Sequence, residues 1–348
     1  MERVPPRPRV RHPHPTPGRG PRASGRLAAS VAAGWAATLA TLAALAFAAP
    51  SLSSPDVPPP PTGPGGFDAP AEPDDVAQVA RVAVVADVDR IRPGRTFHLA
   101  FVASLAKHWH TYWENPGDTG VPLQATVDAP PGFEVGEPRY PRPEVITGPT
   151  GTTYGYEEQA WIFIPVTAPA DLDPDGRPLE LEVDLTYLVC RELCLIGTEV
   201  ATVTIPAATD ADAAAPDRSE APPGMAAWLE RVPRPLTDLR GAELSIETGG
   251  RDEGTRGELR LRVPRDAAPG RPVIVPAPGP GVSFGDAVVG TTDDGRWDVR
   301  VPLTLDPGNA LGGPFVVRGL VGLGPEPTDP AWRFDRTIPI PAAPGGDG

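Results

Sequence analysis

Cys190 and Cys194, the only cysteines in 348 residues, are separated by Arg191-Glu192-Leu193. Two thiols this close can do one of three things. They can form a small staple, cycle between dithiol and disulfide, or contribute to a metal site. In an extended strand the spacing would hold the sulfurs apart, because four residues of strand span about 13 Å. Bridging needs alpha-carbons within about 7 Å. A bond between these residues therefore predicts a turn, at a strand end or a hairpin tip. Exchange chemistry would further need a thiolate and access for a partner's sulfur. Arg191 would favour a thiolate and Glu192 would oppose it, so the spacing leaves staple, redox pair and metal site all open. As a staple the pair would add little: closing so short a loop is worth about 2 kcal/mol in the loop-entropy model. A chain of this length has no need of it to build a core.

His108-x-His110 is the second pattern with chemical potential, with Glu114 and Asp118 close behind in sequence. On a strand both rings would share a face, as a metal pair requires. No third ligand is placed, and packing within an aromatic strand is the reading adopted, so no metal and no cofactor is expected. Trp109, Tyr112, Trp113, Tyr154, Tyr156 and Trp161 gather much of the aromatic content of the region. They are expected to form core, with some of them shielding the sulfurs from stray thiols. The sequence contains no phosphate loop, nucleophile elbow or His-Glu-x-x-His motif. Acidic pairs such as Asp74-Asp75, Glu157-Glu158 and Asp293-Asp294 read as solvated turns.

The elements that must position these residues are strands. Fifty prolines and 38 glycines disfavour long helices and suit short strands joined by turns. Alternating or apolar runs begin near Val76 and recur at Thr96–Ala103, Lys107–Trp113, Val121–Val127, Trp161–Val166, Leu179–Val189 and Val200–Ile205. This predicts an all-β fold, with an immunoglobulin-like β-sandwich over residues 76–206. A second β-sandwich-like domain is expected over 225–341, from runs at Glu243–Glu247, Gly257–Val263, Pro272–Val275, Trp297–Leu305 and Phe315–Val321. It would open with a short helix, Met225–Val232. Residues 50–75 and 207–224 read as Pro- and Ala-rich linkers, and 342–348 as a tail.

Seven arginines against Glu2 give the first 49 residues a charge of about +6, which leaves about −20 for the rest of a chain whose total is −14. A body this acidic repels phosphates, so nucleic acid is excluded as a partner. The arginines precede an uncharged apolar run, Leu27–Ala49, ending in Ala46-Phe47-Ala48-Ala49-Pro50. Basic flank, apolar stretch and small residues predict an export signal, or a signal anchor if uncleaved. Export places the thiols in an oxidising compartment, with membrane contact only through this segment.

Three motifs in order then resemble a known family: His108-Trp109-His110-Thr111-Tyr112-Trp113-Glu114-Asn115-Pro116-Gly117-Asp118, Tyr154-Gly155-Tyr156-Glu157, and Tyr187-Leu188-Val189-Cys190-Arg191-Glu192-Leu193-Cys194. Together they resemble the N-terminal periplasmic domain of DsbD-type thiol:disulfide interchange proteins, in the disulfide bond corrector or ScsB-like branch. The resemblance implies an immunoglobulin-like domain that acts as a protein-disulfide reductase relay. Such a domain takes electrons from a membrane thiol reductase. It passes them to periplasmic thioredoxin-like or disulfide-isomerase proteins and to cytochrome c maturation factors. It implies Cys194 as the residue that forms mixed disulfides and Cys190 as the one that resolves them. It also implies a cap over the sulfurs at Tyr154, Gly155 and Tyr156, with Tyr154 as the lid. Thr152 and Thr153 stand where the family carries acids, and the three-residue spacing is shorter than usual. Neither an eight-span membrane domain nor a thioredoxin domain is found in the sequence, so a separate electron donor is expected. The bland alternative is a protein-binding sandwich with a permanent disulfide.

Overall fold

The computed structural model describes residues 66–148, 151–214, 221–248, 255–267, 270–309 and 314–339. The expected export segment, most of the first linker, the middle of the second and the tail lie outside the described residues.

The described chain is built of sheets whose strands pair antiparallel, except for one two-residue parallel pairing in the second sandwich. The first ten strands are β1 (Ala80–Ala86), β2 (Thr96–Leu105), β3 (His110–Gly117), β4 (Gln124–Asp128), β5 (Glu134–Val135), β6 (Glu144–Gly148), β7 (Gly151–Glu157), β8 (Gln159–Thr167), β9 (Pro178–Cys190) and β10 (Cys194–Pro206). One sheet runs β1-β2-β8-β5 and the other β10-β9-β3-β7-β6, with β4 also paired to β9. Strict alternation on β9 sends Leu179, Leu181, Val183, Leu185, Tyr187 and Val189 inward. They meet Phe97, Leu99 and Phe101 of β2 and Ile162, Ile164 and Val166 of β8 in one core. This is the immunoglobulin-like sandwich the alternation predicts.

β2 reads as continuously apolar because both its faces are covered. Its other face, with Ala100 and Val102, joins Trp161 and Phe163 of β8 beneath a short helix, α1 (Met225–Leu229). Met225 is fully buried there, a contact worth roughly 1.5–3 kcal/mol. The helix is one turn shorter than expected. Its Gly224 cap has a positive φ of 91° and supplies no side-chain hydrogen bond, so packing rather than capping holds it.

A second pair of sheets follows. Its strands are β11 (Arg234–Pro235), β12 (Glu243–Thr248), β13 (Thr255–Val263), β14 (Pro272–Pro276), β15 (Val282–Phe284), β16 (Val288–Thr291), β17 (Trp297–Leu305), β18 (Phe315–Leu323) and β19 (Ala331–Ile338). One sheet is β11-β19-β18-β14, and the other is β12-β13-β17-β15 with β16 beside β17. Leu259, Leu261, Val299, Val301, Phe315, Val317 and Phe334 fill its core.

Two features bear on the expected linkers. Phe67 forms a parallel bridge with Ala106, and the Lys107 N–H donates to the Phe67 carbonyl at 2.9 Å. Residues 66–68 therefore strap onto the turn before β3. Ala207 and Ala208 are buried rather than solvated. The second sandwich also touches β3, which carries the first of the three motifs. Asn115 Nδ2 donates to the Pro276 carbonyl at 2.6 Å, and Arg333 lies 3.8 Å from Glu114. Buried Arg142 donates to the Gly324 and Asp329 carbonyls.

Candidate functional site

β9 and β10 form a hairpin of thirteen paired residues each, from Pro178 opposite Pro206 to Cys190 opposite Cys194. The ladder ends on the cysteine pair, and Arg191-Glu192-Leu193 make the turn. Cys190 and Cys194 are disulfide-bonded with alpha-carbons 4.1 Å apart. The turn that bridging demands is thus a hairpin tip. Gly197 is needed three residues on: a Cβ there would lie 2.2 Å from the Tyr187 ring. The ring crosses the strand at that point, and the hairpin closes over it.

The two sulfurs sit in different surroundings. Cys190 is 3% exposed, whereas Cys194 is exposed on the edge strand. An incoming thiolate reaches Cys194 first, and Cys190 is then the leaving group. Because β9 alternates, Cys190 lies on the sheet face opposite Val189 and the core.

β3 supplies the neighbours on that outer face. His110 is the direct ladder partner of Cys190 on one side and of Glu157 on the other. Tyr112, two residues along, sits edge-on to the His110 ring at 5.3 Å and is itself buried. Gly120 packs flat on the Tyr112 ring, where a Cβ would lie 2.2 Å from Cε1. β3 meets β9 at the His110–Cys190 pair, and β4 takes over the pairing with β9 from Thr186 onward, while the register of β3 against β7 shifts between Tyr112 and Gly117. The Thr111 hydroxyl fills the junction by donating to the Leu188 carbonyl at 3.0 Å. Burial lowers the His110 pKa below its ordinary value and raises that of Tyr112. Arg191 lies over the Trp109 ring, 5.6 Å from its centroid.

The remaining sequence expectations are placed as follows. His108 is exposed, with a φ of 66°, in the turn before β3. It does not share a strand face with His110, and the geometry of a metal pair is lost. The strand itself begins at His110, not Lys107, and runs on to Gly117. Trp109, Trp113 and Tyr156 are core, as their apolar rings demand. The Tyr156 hydroxyl donates to the buried Pro141 carbonyl at 2.7 Å.

The expected cap residues lie on β7. Gly155 pairs with Tyr112, so Gly155 shares the sulfur face while Tyr154 and Tyr156 point to the other. Tyr154 is half-buried and packs edge-on against Trp113, with centroids 6.4 Å apart. The ring that the ladder places beside Cys190 is His110, with Tyr112 edge-on to it. The signal that could have found them is the period of two in His108-Trp109-His110-Thr111-Tyr112-Trp113, which splits the run into a core set and an outer set.

Comparisons with known proteins agree with this geometry. Residues 77–205 match the family described as thiol:disulfide interchange protein DsbD, N-terminal. No curated protein sequence matches the chain. Among solved structures, the N-terminal periplasmic domain of ScsB from Proteus mirabilis is similar at a TM-score of 0.50 and 19% identity, covering 78% of this chain and 96% of that one. That coverage exceeds the first sandwich and reaches into the second, so the likeness in fold includes both. Residues 77–205 are therefore similar, in sequence and in fold, to the N-terminal domain of DsbD-type thiol:disulfide interchange proteins.

Proposed function

We propose that this chain relays reducing equivalents outside the cytoplasm. It would take them from a separate membrane thiol reductase and deliver them to periplasmic thioredoxin-like or isomerase-type disulfide proteins. The observation that carries this reading is the asymmetry of the pair: an exposed Cys194 and a buried Cys190 in one disulfide at a hairpin tip.

Charging begins when a donor thiolate attacks Cys194 Sγ. A donor–Cys194 mixed disulfide forms and the Cys190 thiolate leaves. A second donor thiol then attacks the donor sulfur and releases Cys194. Delivery runs the other way. The Cys194 thiolate attacks an acceptor disulfide and releases one acceptor thiolate, and Cys190 then attacks Cys194 Sγ and releases the other. Two electrons pass to the acceptor, and the Cys190–Cys194 bond re-forms.

The periplasmic origin of the similar ScsB domain and the signal-like N-terminal sequence support an extracytoplasmic site. No helix among the described residues is long and apolar enough to cross a membrane.

The test is trapping. Cys190→Ala should accumulate covalent adducts through Cys194 that disappear on adding excess reductant. Cys194→Ala should give few. Adducts from Cys194→Ala alone would reverse the roles, and none from either would favour a permanent disulfide in a binding module.

A further inference from the structure

The delivery cycle described above leaves one proton unaccounted for. Cys190 must attack Cys194 Sγ as a thiolate, yet its site is nearly closed to water, and burial in apolar surroundings holds a thiol protonated. Bulk hydroxide has poor access to it. Cys190 has a direct ladder partner on each side: Cys194 on β10, its disulfide partner, and His110 on β3, whose imidazole is a base. Directly opposed residues carry their Cβ atoms about 4.5–5.5 Å apart on the same face, which makes the imidazole a side-chain neighbour of Cys190. The ring is held by Tyr112 edge-on along the same strand.

We propose that His110 is the proton acceptor for Cys190 in the resolving step. The Cys190 S–H proton passes to the neutral imidazole as the Cys190 sulfur bonds to Cys194 Sγ. The Cys194–partner bond breaks with its electron pair on the partner sulfur. The imidazolium then returns the proton to that departing thiolate or to solvent, so atoms and charge balance with no other reactant. This step rests on the interchange function proposed above.

The titratable groups facing His110 are Cys190 from β9, Glu157 from β7 and Tyr112 from its own strand. Burial lowers the His110 pKa, which keeps the ring neutral and able to accept a proton at neutral pH.

The size of the effect is bounded. A thiol of ordinary pKa near 8.5 is only about 3% ionised at pH 7, and burial leaves less, so a poised base has room to speed the step by roughly 30-fold or more. The probe is 5,5′-dithiobis(2-nitrobenzoate) added to the reduced full chain. The first nitrothiobenzoate released reports attack by Cys194, at a rate that scales with reagent. The second reports resolution by Cys190, at a rate that does not. His110→Gln should slow the second release about 10- to 30-fold at pH 7, leave the first unchanged, and lose its deficit progressively at alkaline pH as Cys190 ionises unaided.

An unchanged second release in that variant overturns the proposal. A measurement on the unsubstituted chain keeps it testable should the variant fold poorly. The second-release rate should be flat between pH 7 and 8, and a tenfold rise per pH unit across that range overturns the assignment. If the reduced unsubstituted chain releases no second nitrothiobenzoate at any pH, the interchange reading itself fails and takes this step with it.

Discussion

A relay domain must stay folded with its disulfide open, and the structure lets the cost of opening be worked out. The bond closes a loop of five residues, Cys190 through Cys194. Loop entropy assigns it about 2 kcal/mol through the unfolded state. The folded state loses little when it opens. The ladder below the tip pairs thirteen residues of each strand and closes the same loop without sulfur. The Cys190 thiol remains buried, where it behaves as a small apolar group, and Cys194 faces solvent. For a unit of this size, 1 kcal/mol moves the melting temperature by about 2–4 °C, so reduction should lower it by roughly 4–8 °C. Paired thermal melts of oxidised and reduced protein, followed by near-ultraviolet circular dichroism, would measure this. The tertiary signal should persist in both states at 25 °C. Loss of that signal on reduction, or a drop beyond about 15 °C, would refute the reasoning, because the disulfide would then support far more than the hairpin tip.

Two further outcomes follow from residues around the site and the second sandwich. Gly155→Val should separate β3 from β7, since a Cβ there would lie 2.1 Å from the Thr111 carbonyl oxygen. Backbone cannot yield cheaply, so a loss of about 1–3 kcal/mol or more is expected in chemical denaturation. Asp298, held by Arg260 and Arg300, has its pKa lowered from 3.8 to about 2. Its folded pKa lies below the unfolded one, so its stabilisation is present above about pH 4 and fades as pH falls towards 2. Asp298→Asn should flatten the pH dependence of the melting temperature across that window, and an unchanged slope would contradict it.

Much of the frame was legible in the sequence, because burial on one face of a strand writes itself as alternation. Leu179–Val189 shows it, and so does the second-sandwich run Trp297–Leu305. The turn between the cysteines was also legible, since strand geometry forbids the bond otherwise. The β6–β7 hairpin was not. Gly148, Gly151 and Gly155 interrupt its strand pattern, and its place is fixed by pairing with β3. The early part of β10 was missed for a related reason: Gly197 breaks the pattern locally, yet it is required by a ring from the partner strand. Tyr154 shows the limit most clearly. Its position before Gly155 is local information, but the face it occupies depends on register with β3, which no local pattern fixes. His108 fell outside the strand because the chain turns there through a left-handed conformation.

The acidic, Pro-rich character of the chain carries less of the function than two adjacent sulfurs. The second sandwich holds no cysteine or histidine, but it contacts β3 at Glu114 and Asn115, a few residues past His110.

The reduction potential of the Cys190–Cys194 couple, measured by equilibrating the protein with glutathione or dithiothreitol buffers of known ratio, tests the central claim most directly. A relay pair should equilibrate near about −200 mV, whereas a value below about −300 mV would mark a structural bond and contradict the interchange function.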